Sequence, residues 1–291
     1  MKNTVRLPHQ RLILLLVASC FALTLSACDT LTSFVVSDAQ EVEIGAEVDG
    51  EIRQEYQVLP ASDPATKWAE ALVDSLTDAA DDYRNSERIG GYKVHVIDDN
   101  ELINAFAAPG GYIYIVSGLI LAANECAEVA GVVGHELAHV TQRHSAKSLA
   151  KNAAAFSLTD IFLKEGAIKE STELLYAFVQ GTAFSRKDET EADKVGAEIV
   201  YNSGYHPKGL ANMFRTLGDM APDEEPEDPT KLNRFAEFFS SHPDSQRRVK
   251  AIEEKIDKDW PDIDAEDQHT YDCVNMGSGI LSFDEVKQHL Q

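Results

Sequence analysis

Residues 132–144 read VVGHELAHVTQRH. His135 and His139 are four residues apart, so on an α-helix they stand one above the other on a single face. Glu136 lies between them, giving H-E-x-x-H, in which two histidines bind zinc and the glutamate serves as general base toward water. The flanks EVAGVVG and LAHV are apolar almost all round and mark a buried helix. Two histidines and a glutamate sunk in such a helix without partners would be costly, and a metal ion satisfies all three. The plainer alternative is a pair of core histidines bonded to backbone carbonyls.

Working outward, the third ligand is not found on the same helix. A metzincin arrangement needs glycine seven and histidine ten residues after the first histidine, and this chain has Gln142 and Ser145 there. His144, nine residues after His135 at 100° per residue, points to the opposite face, and its expected role is structural, at the helix end. The segment FSRKDETEADKVG, 184–196, is the best remaining source. On a helix beginning near Asp188, the residues Glu191, Lys194, Glu198 and Asn202 form a polar stripe, whereas Glu189 shares its face with Ala192, Gly196 and Val200. Glu189 is therefore expected to point inward as the third ligand. Asp193, four residues later, is placed either to orient a histidine through its second nitrogen or to pair with a basic residue.

The rest of the chain reads as α+β and mostly helical. GYKVHVIDD (91–99) and GGYIYIVSG (110–118) are β-branched and aromatic runs flanked by glycine, hence strands, and no third strand stands out. Two helices are expected over 39–80, broken at PASDP, and six more over 125–145, 147–163, 170–182, 187–203, 207–220 and 244–257. APDEEPEDPT (221–230) is an acidic, proline-rich loop, and 258–291 is ambiguous. In GGYIYIVSG, Tyr112, Tyr114 and Val116 alternate with Ile113 and Ile115. If that strand edges a cleft, an extended peptide can add to it by main-chain hydrogen bonds; otherwise it is an ordinary core strand.

The N-terminus has a different character. Lys2, Arg6 and Arg11 precede LILLLVASCFALTL, an apolar run too short to be an ordinary membrane span, which reads as a signal peptide over 1–27. It closes on LSAC, which resembles the lipobox of bacterial lipoproteins, with Cys28 as the lipidated residue and 28–38 as a tether; the alternatives are an uncleaved N-terminal anchor or ordinary signal cleavage with Cys28 free. Asp29 resembles an inner-membrane retention signal. Loss of three cations and no anion takes the formal charge from −23 to −26, which makes nucleic acid and anionic membrane surfaces poor partners. With Cys20 removed and Cys28 acylated, Cys126 and Cys273 remain; in an exported chain they are expected to form one disulfide, the alternative being two buried thiols.

HELAH together with SRKDETEAD resembles the paired signature of the HtpX-like and CAAX-prenyl-protease-like zinc metallopeptidases. NAFAAPGGYIYIVSGLI (104–120) resembles the strand before the active helix in that family, and SSHP (240–243) a later element. The order and length are most similar to the short periplasmic LoiP type. The resemblance implies a gluzincin-type domain over 39–257 with a small sheet beside the active helix, and 258–291 packed on it. It implies one Zn2+ held by His135, His139 and Glu189, with Glu136 as base and Asp193 in support. Arg186 or His242 is placed to stabilise an oxyanion, with an ion pair the alternative for Arg186. In the similar BepA branch a histidine matching His242 fills the open coordination position; capping the helix that begins near Asp244 is a third role open to His242. The expected activity is endoproteolysis of misfolded envelope proteins, by a lipid-anchored protein facing the periplasm on the inner or outer membrane of a Gram-negative bacterium. The competing expectation is an envelope chaperone or assembly factor with a mainly structural zinc.

Overall fold

The structure, a computed structural model, describes residues 36–152, 166–181, 184–220, 245–265, 269–273 and 276–291. Cys28, the signal segment, the acidic stretch 221–230 and His242 lie outside the described residues. Two long helices come first, α1 (Asp38–Glu55) and α2 (Pro64–Asp81). Ser37 caps α1 in a reciprocal box with Gln40, and Asp63 caps α2 with proline at the first helical position.

A three-stranded sheet follows: β1 (Lys93–Ile97), β2 (Ala105–Ala108) and β3 (Tyr112–Val116), in the spatial order β1-β3-β2. β3 is central, parallel to β1 with Val96 opposite Ile115, and antiparallel to β2 with Phe106 opposite Tyr114. Of the two places that sequence left open for this strand, a cleft edge or the core, it takes the core: both of its edges are already paired. Of the two outer edges, that of β1 meets Val58 across an isolated bridge at Ile97, and the other belongs to β2, whose AFAA lacks the β-branched residues that would have announced a strand. Both faces of β3 are buried: Ile113 and Ile115 enter the main core with α2 and the active helix, while Tyr114 and Val116 pack toward α1. The turn from β2 to β3 uses Gly110 and Gly111 at φ 75 and 81. A Cβ on Gly110 would lie 2.8 Å from the Glu41 carbonyl oxygen, so glycine lets α1 sit against the turn.

The helices that carry the site come next. After α3 (Ser117–Ala122), helix α4 (Cys126–Thr141) runs through the centre with all of its residues buried. It packs against β2, α2, α8 (Arg186–Asn202) and α9 (Gly209–Met220). Between them lie α5 (His144–Asn152), α6 (Ala167–Glu170) and α7 (Thr172–Gly181). α10 (Ser245–Asp259) closes the cluster, and α11 (Phe283–Leu290) lies back on α2, where the rings of Phe283 and Trp68 are 5.7 Å apart. Cys126 and Cys273 stand together with Cα atoms 5.6 Å apart, the separation a disulfide spans. No helix among the described residues is long and apolar enough to cross a membrane.

Candidate metal centre

Helix α4 brings His135 and His139 onto one face, 2% and 1% exposed, with their Nε2 atoms 3.0 Å apart. Helix α8 supplies the third group. Gly134 and Gly196 let the two backbones touch: a Cβ on Gly196 would fall 2.9 Å from the backbone of His135, and one on Gly134 would fall 2.6 Å from Val200. That approach carries Glu189, 2% exposed, to the histidine pair, with Oε2 3.6 Å from His135 Nε2 and Oε1 3.4 Å from His139 Nε2. The three donors lie within 4.8 Å of one another. Two imidazoles and one carboxylate, all buried, are a donor set that could hold a metal ion. Glu136, 1% exposed, follows His135 on the same helix.

The charges around this trio hold it in one state. Asp193 Oδ1 is 3.1 Å from His135 Nδ1, so the ring gives its Nδ1–H to the carboxylate and turns Nε2 toward the other donors. Arg248, from α10, was not foreseen from sequence. Its Nε and Nη2 donate to Asp193 at 2.9 and 2.6 Å, Nη1 is 2.7 Å from Glu189 Oε2, and its guanidinium lies 4.7 Å from the centre of the Phe214 ring. Asp193 thus both orients a histidine and pairs with a base, the two roles that sequence offered as alternatives. Arg248 engages Oε2 of Glu189 and leaves Oε1 directed at His139. Burial, together with the Arg248 charge, pushes the His135 pKa down to about 4, which keeps its nitrogen available to a metal. Burial works to raise the Asp193 pKa, but hydrogen bonds from His135 and Arg248 outweigh it and keep the carboxylate ionised. Burial disfavours the Arg248 charge, and the same carboxylates reverse that effect, with Glu136 adding to the field.

His144 departs from the helical count. Helix α4 ends at Thr141, and Arg143 takes the left-handed conformation at φ 59, so the chain reverses and His144 returns to the site instead of passing to its far side. Arg143 is secured there by donating to the Glu41 carboxylate at 2.7 Å and the Val36 carbonyl at 2.6 Å. His144 Nδ1 lies 3.0 Å from His139 Nδ1, and Phe184 stacks on His139 with ring centres 4.1 Å apart. His144 is a neighbour of the metal donors and not one of the trio. Glu191 is on the outer stripe as expected, and Arg186, exposed, lines a solvent-open cleft with Glu189, Asp193 and Arg248.

Comparison with known proteins agrees with this arrangement. Metalloprotease LoiP of Escherichia coli is 27% identical over 263 residues, which cover 84% of this chain and 97% of that protein. Mitochondrial metalloendopeptidase OMA1 of Saccharomyces cerevisiae is 30% identical over 241 residues, 79% of this chain and 65% of the yeast protein. The beta-barrel assembly-enhancing protease of E. coli is 25% identical over 291 residues, and the match takes in 92% of this chain but 56% of that protein. The chain thus spans less than two thirds of the length of the last two. The model of peptidase family M48 matches residues 65–256. That interval begins in α2, ends in α10 and contains both helices whose contact assembles the histidines and Glu189: the chain belongs to peptidase family M48.

Proposed function

We propose that the protein is a zinc metalloendopeptidase of the bacterial envelope that cleaves misfolded or assembling envelope proteins. The observation that carries this reading is the convergence of His135 Nε2, His139 Nε2 and Glu189, with the His135 tautomer set by Asp193. The donor set fits zinc. When bound, the ion supplies Lewis acidity, polarising the scissile carbonyl and acidifying water. The chain's own residues do the rest. Glu136 takes the proton of the attacking water on its carboxylate and passes it to the leaving amine. Asp193 fixes the His135 ring. Arg248 holds Glu189 and Asp193 as carboxylates. The outer edge of β2, which pairs with no other described strand and lies against α4, is the place where an extended peptide would add as a strand.

Export and anchoring at Cys28 complete the proposal, supported by the LSAC segment. A Cys126–Cys273 disulfide fits an oxidising compartment, and in the chain-entropy model closing so long a loop contributes about 4 to 5 kcal/mol. Cleavage of casein by the zinc-loaded protein, compared with Glu136→Gln, tests the enzymatic reading. The variant is expected to keep its zinc and lose proteolysis. Equal cleavage by both proteins, or none by either, contradicts the reading; the latter result favours a chaperone with structural zinc.

A further inference from the structure

Next to the trio lies a second histidine with two carboxylates. His144 opens α5, and Asp188 and Glu191 stand on the outer side of α8; one donor atom from each lies within 4.8 Å of the other two. His144 is 1% exposed, yet among the described residues its Nε2 has no hydrogen-bond partner and faces Glu191 Oε2 at 3.7 Å. A buried ring nitrogen left without a partner is uncommon and calls for an explanation. Asp188 uses Oδ2 to accept from the backbone nitrogen and hydroxyl of Ser185, which leaves Oδ1 for another partner. The Glu191 side chain is 40% exposed, so the group opens to solvent and can contract around an ion by a rotation of that side chain. Lys147 is the nearby cation that opposes positive charge here.

We propose that His144, Asp188 and Glu191 form a second divalent-cation site, and that its occupation works against metal binding at His135, His139 and Glu189. One imidazole nitrogen with two carboxylate oxygens suits Zn2+ or Mn2+. The antagonism follows from proton placement between His139 and His144, whose Nδ1 atoms are 3.0 Å apart. A neutral imidazole has one N–H and one lone pair. When His139 presents its Nε2 lone pair to the first metal, its proton is on Nδ1 and is donated to Nδ1 of His144. The single proton of His144 is then on Nε2, where the second cation must bind. A cation there displaces that proton to Nδ1, where it confronts the Nδ1–H of His139. Relief requires His139 to move its own proton to Nε2, which withdraws a ligand from the first metal. Each ion therefore favours the arrangement of protons that the other opposes. Zinc above one equivalent becomes an inhibitor.

The binding part stands apart from the proposed proteolysis; the inhibition part rests on it. Calorimetric titration of the one-zinc protein with Zn2+ reads the binding directly. The wild-type chain is expected to take up a second, weaker zinc. Glu191→Ala should weaken that second event by about tenfold or more through loss of a charged ligand, while Glu254→Ala, exposed on α10, leaves it unchanged. Glu189→Ala, in which the first site is broken, should bind zinc at the His144 cluster more tightly than the wild type binds its second zinc. Proteolysis, taken as the ratio of the rate in excess zinc to the rate at one equivalent, should fall well below one in wild type and return toward one in Glu191→Ala. No second binding in wild type, or a second event unaltered in Glu191→Ala, overturns the site. Unchanged affinity in Glu189→Ala overturns the antagonism. If the protein has no proteolytic activity, the enzymatic reading fails and the binding measurements still decide the site.

Discussion

Helix α8 sends two pairs of carboxylates in two directions, and the pairs end in different surroundings. Glu189 and Asp193 turn inward, where they are 2% and 4% exposed and share the guanidinium of Arg248. Asp188 and Glu191 turn outward, where one caps its own helix and the other reaches into solvent. Each pair meets a histidine. The difference shows that donor type alone does not define a strong metal site. The inner histidine has its tautomer set by a carboxylate held by Arg248, whereas the outer one faces the ring of His139. A buried counter-charge and a fixed proton distinguish a rigid site from an adaptable one.

Removing Glu189 should separate the two sides most sharply. Glu189→Ala is expected to lower zinc affinity in buffered nanomolar zinc by about a hundredfold or more and to abolish proteolysis, as the chelator competition curve will read. Normal affinity would place the first metal elsewhere. Arg248→Met comes next. Taking away the partner of two buried carboxylates should cost about 3 to 5 kcal/mol in the metal-free protein, with part of that recovered when zinc supplies the missing positive charge. Thermal melts with and without zinc read both quantities, and a variant equally unstable in both would show that Arg248 acts only in packing.

The effect of acid follows from His135 in the metal-free protein. Its folded pKa, about 4, lies below the ordinary 6.5, so the unfolded chain takes up a proton over that interval and the folded chain does not. Stability is whole above pH 6.5 and declines as the pH falls toward 4. The melting temperature should drop by about 5 °C or more across that window, and replacing His135 with glutamine should flatten the decline. The smallest expected effect lies on the outer side. Ser185→Ala removes a capping box and should cost about 1 kcal/mol, with the inner zinc affinity nearly unchanged.

The same contrast explains what could be read from the sequence. Glu189 and Asp193 were legible because helical periodicity puts them on the face of Ala192 and Gly196, and α4 because its apolar surroundings leave no exposed side. His144 was misplaced because counting at a constant angle assumes that the helix continues, whereas left-handed Arg143, fixed by Glu41 from a distant helix, ends it. Arg248 left a weak signal: it falls four and eight residues before Ile252 and Ile256, both buried, so a charged residue shares the buried stripe of α10. The sheet was misread for a nonlocal reason. Sequence alternation identifies β3 as a strand, but which strands flank it depends on pairing with β1 and with the short, alanine-rich β2.

Anomalous diffraction from crystals of the protein loaded with one equivalent of zinc tests the central claim most directly. One peak is expected, bonded to His135 Nε2, His139 Nε2 and Glu189, with His135 Nδ1 still on Asp193. A peak at His144, or one at His135 and His139 with Glu189 turned away to Arg248 alone, would contradict it.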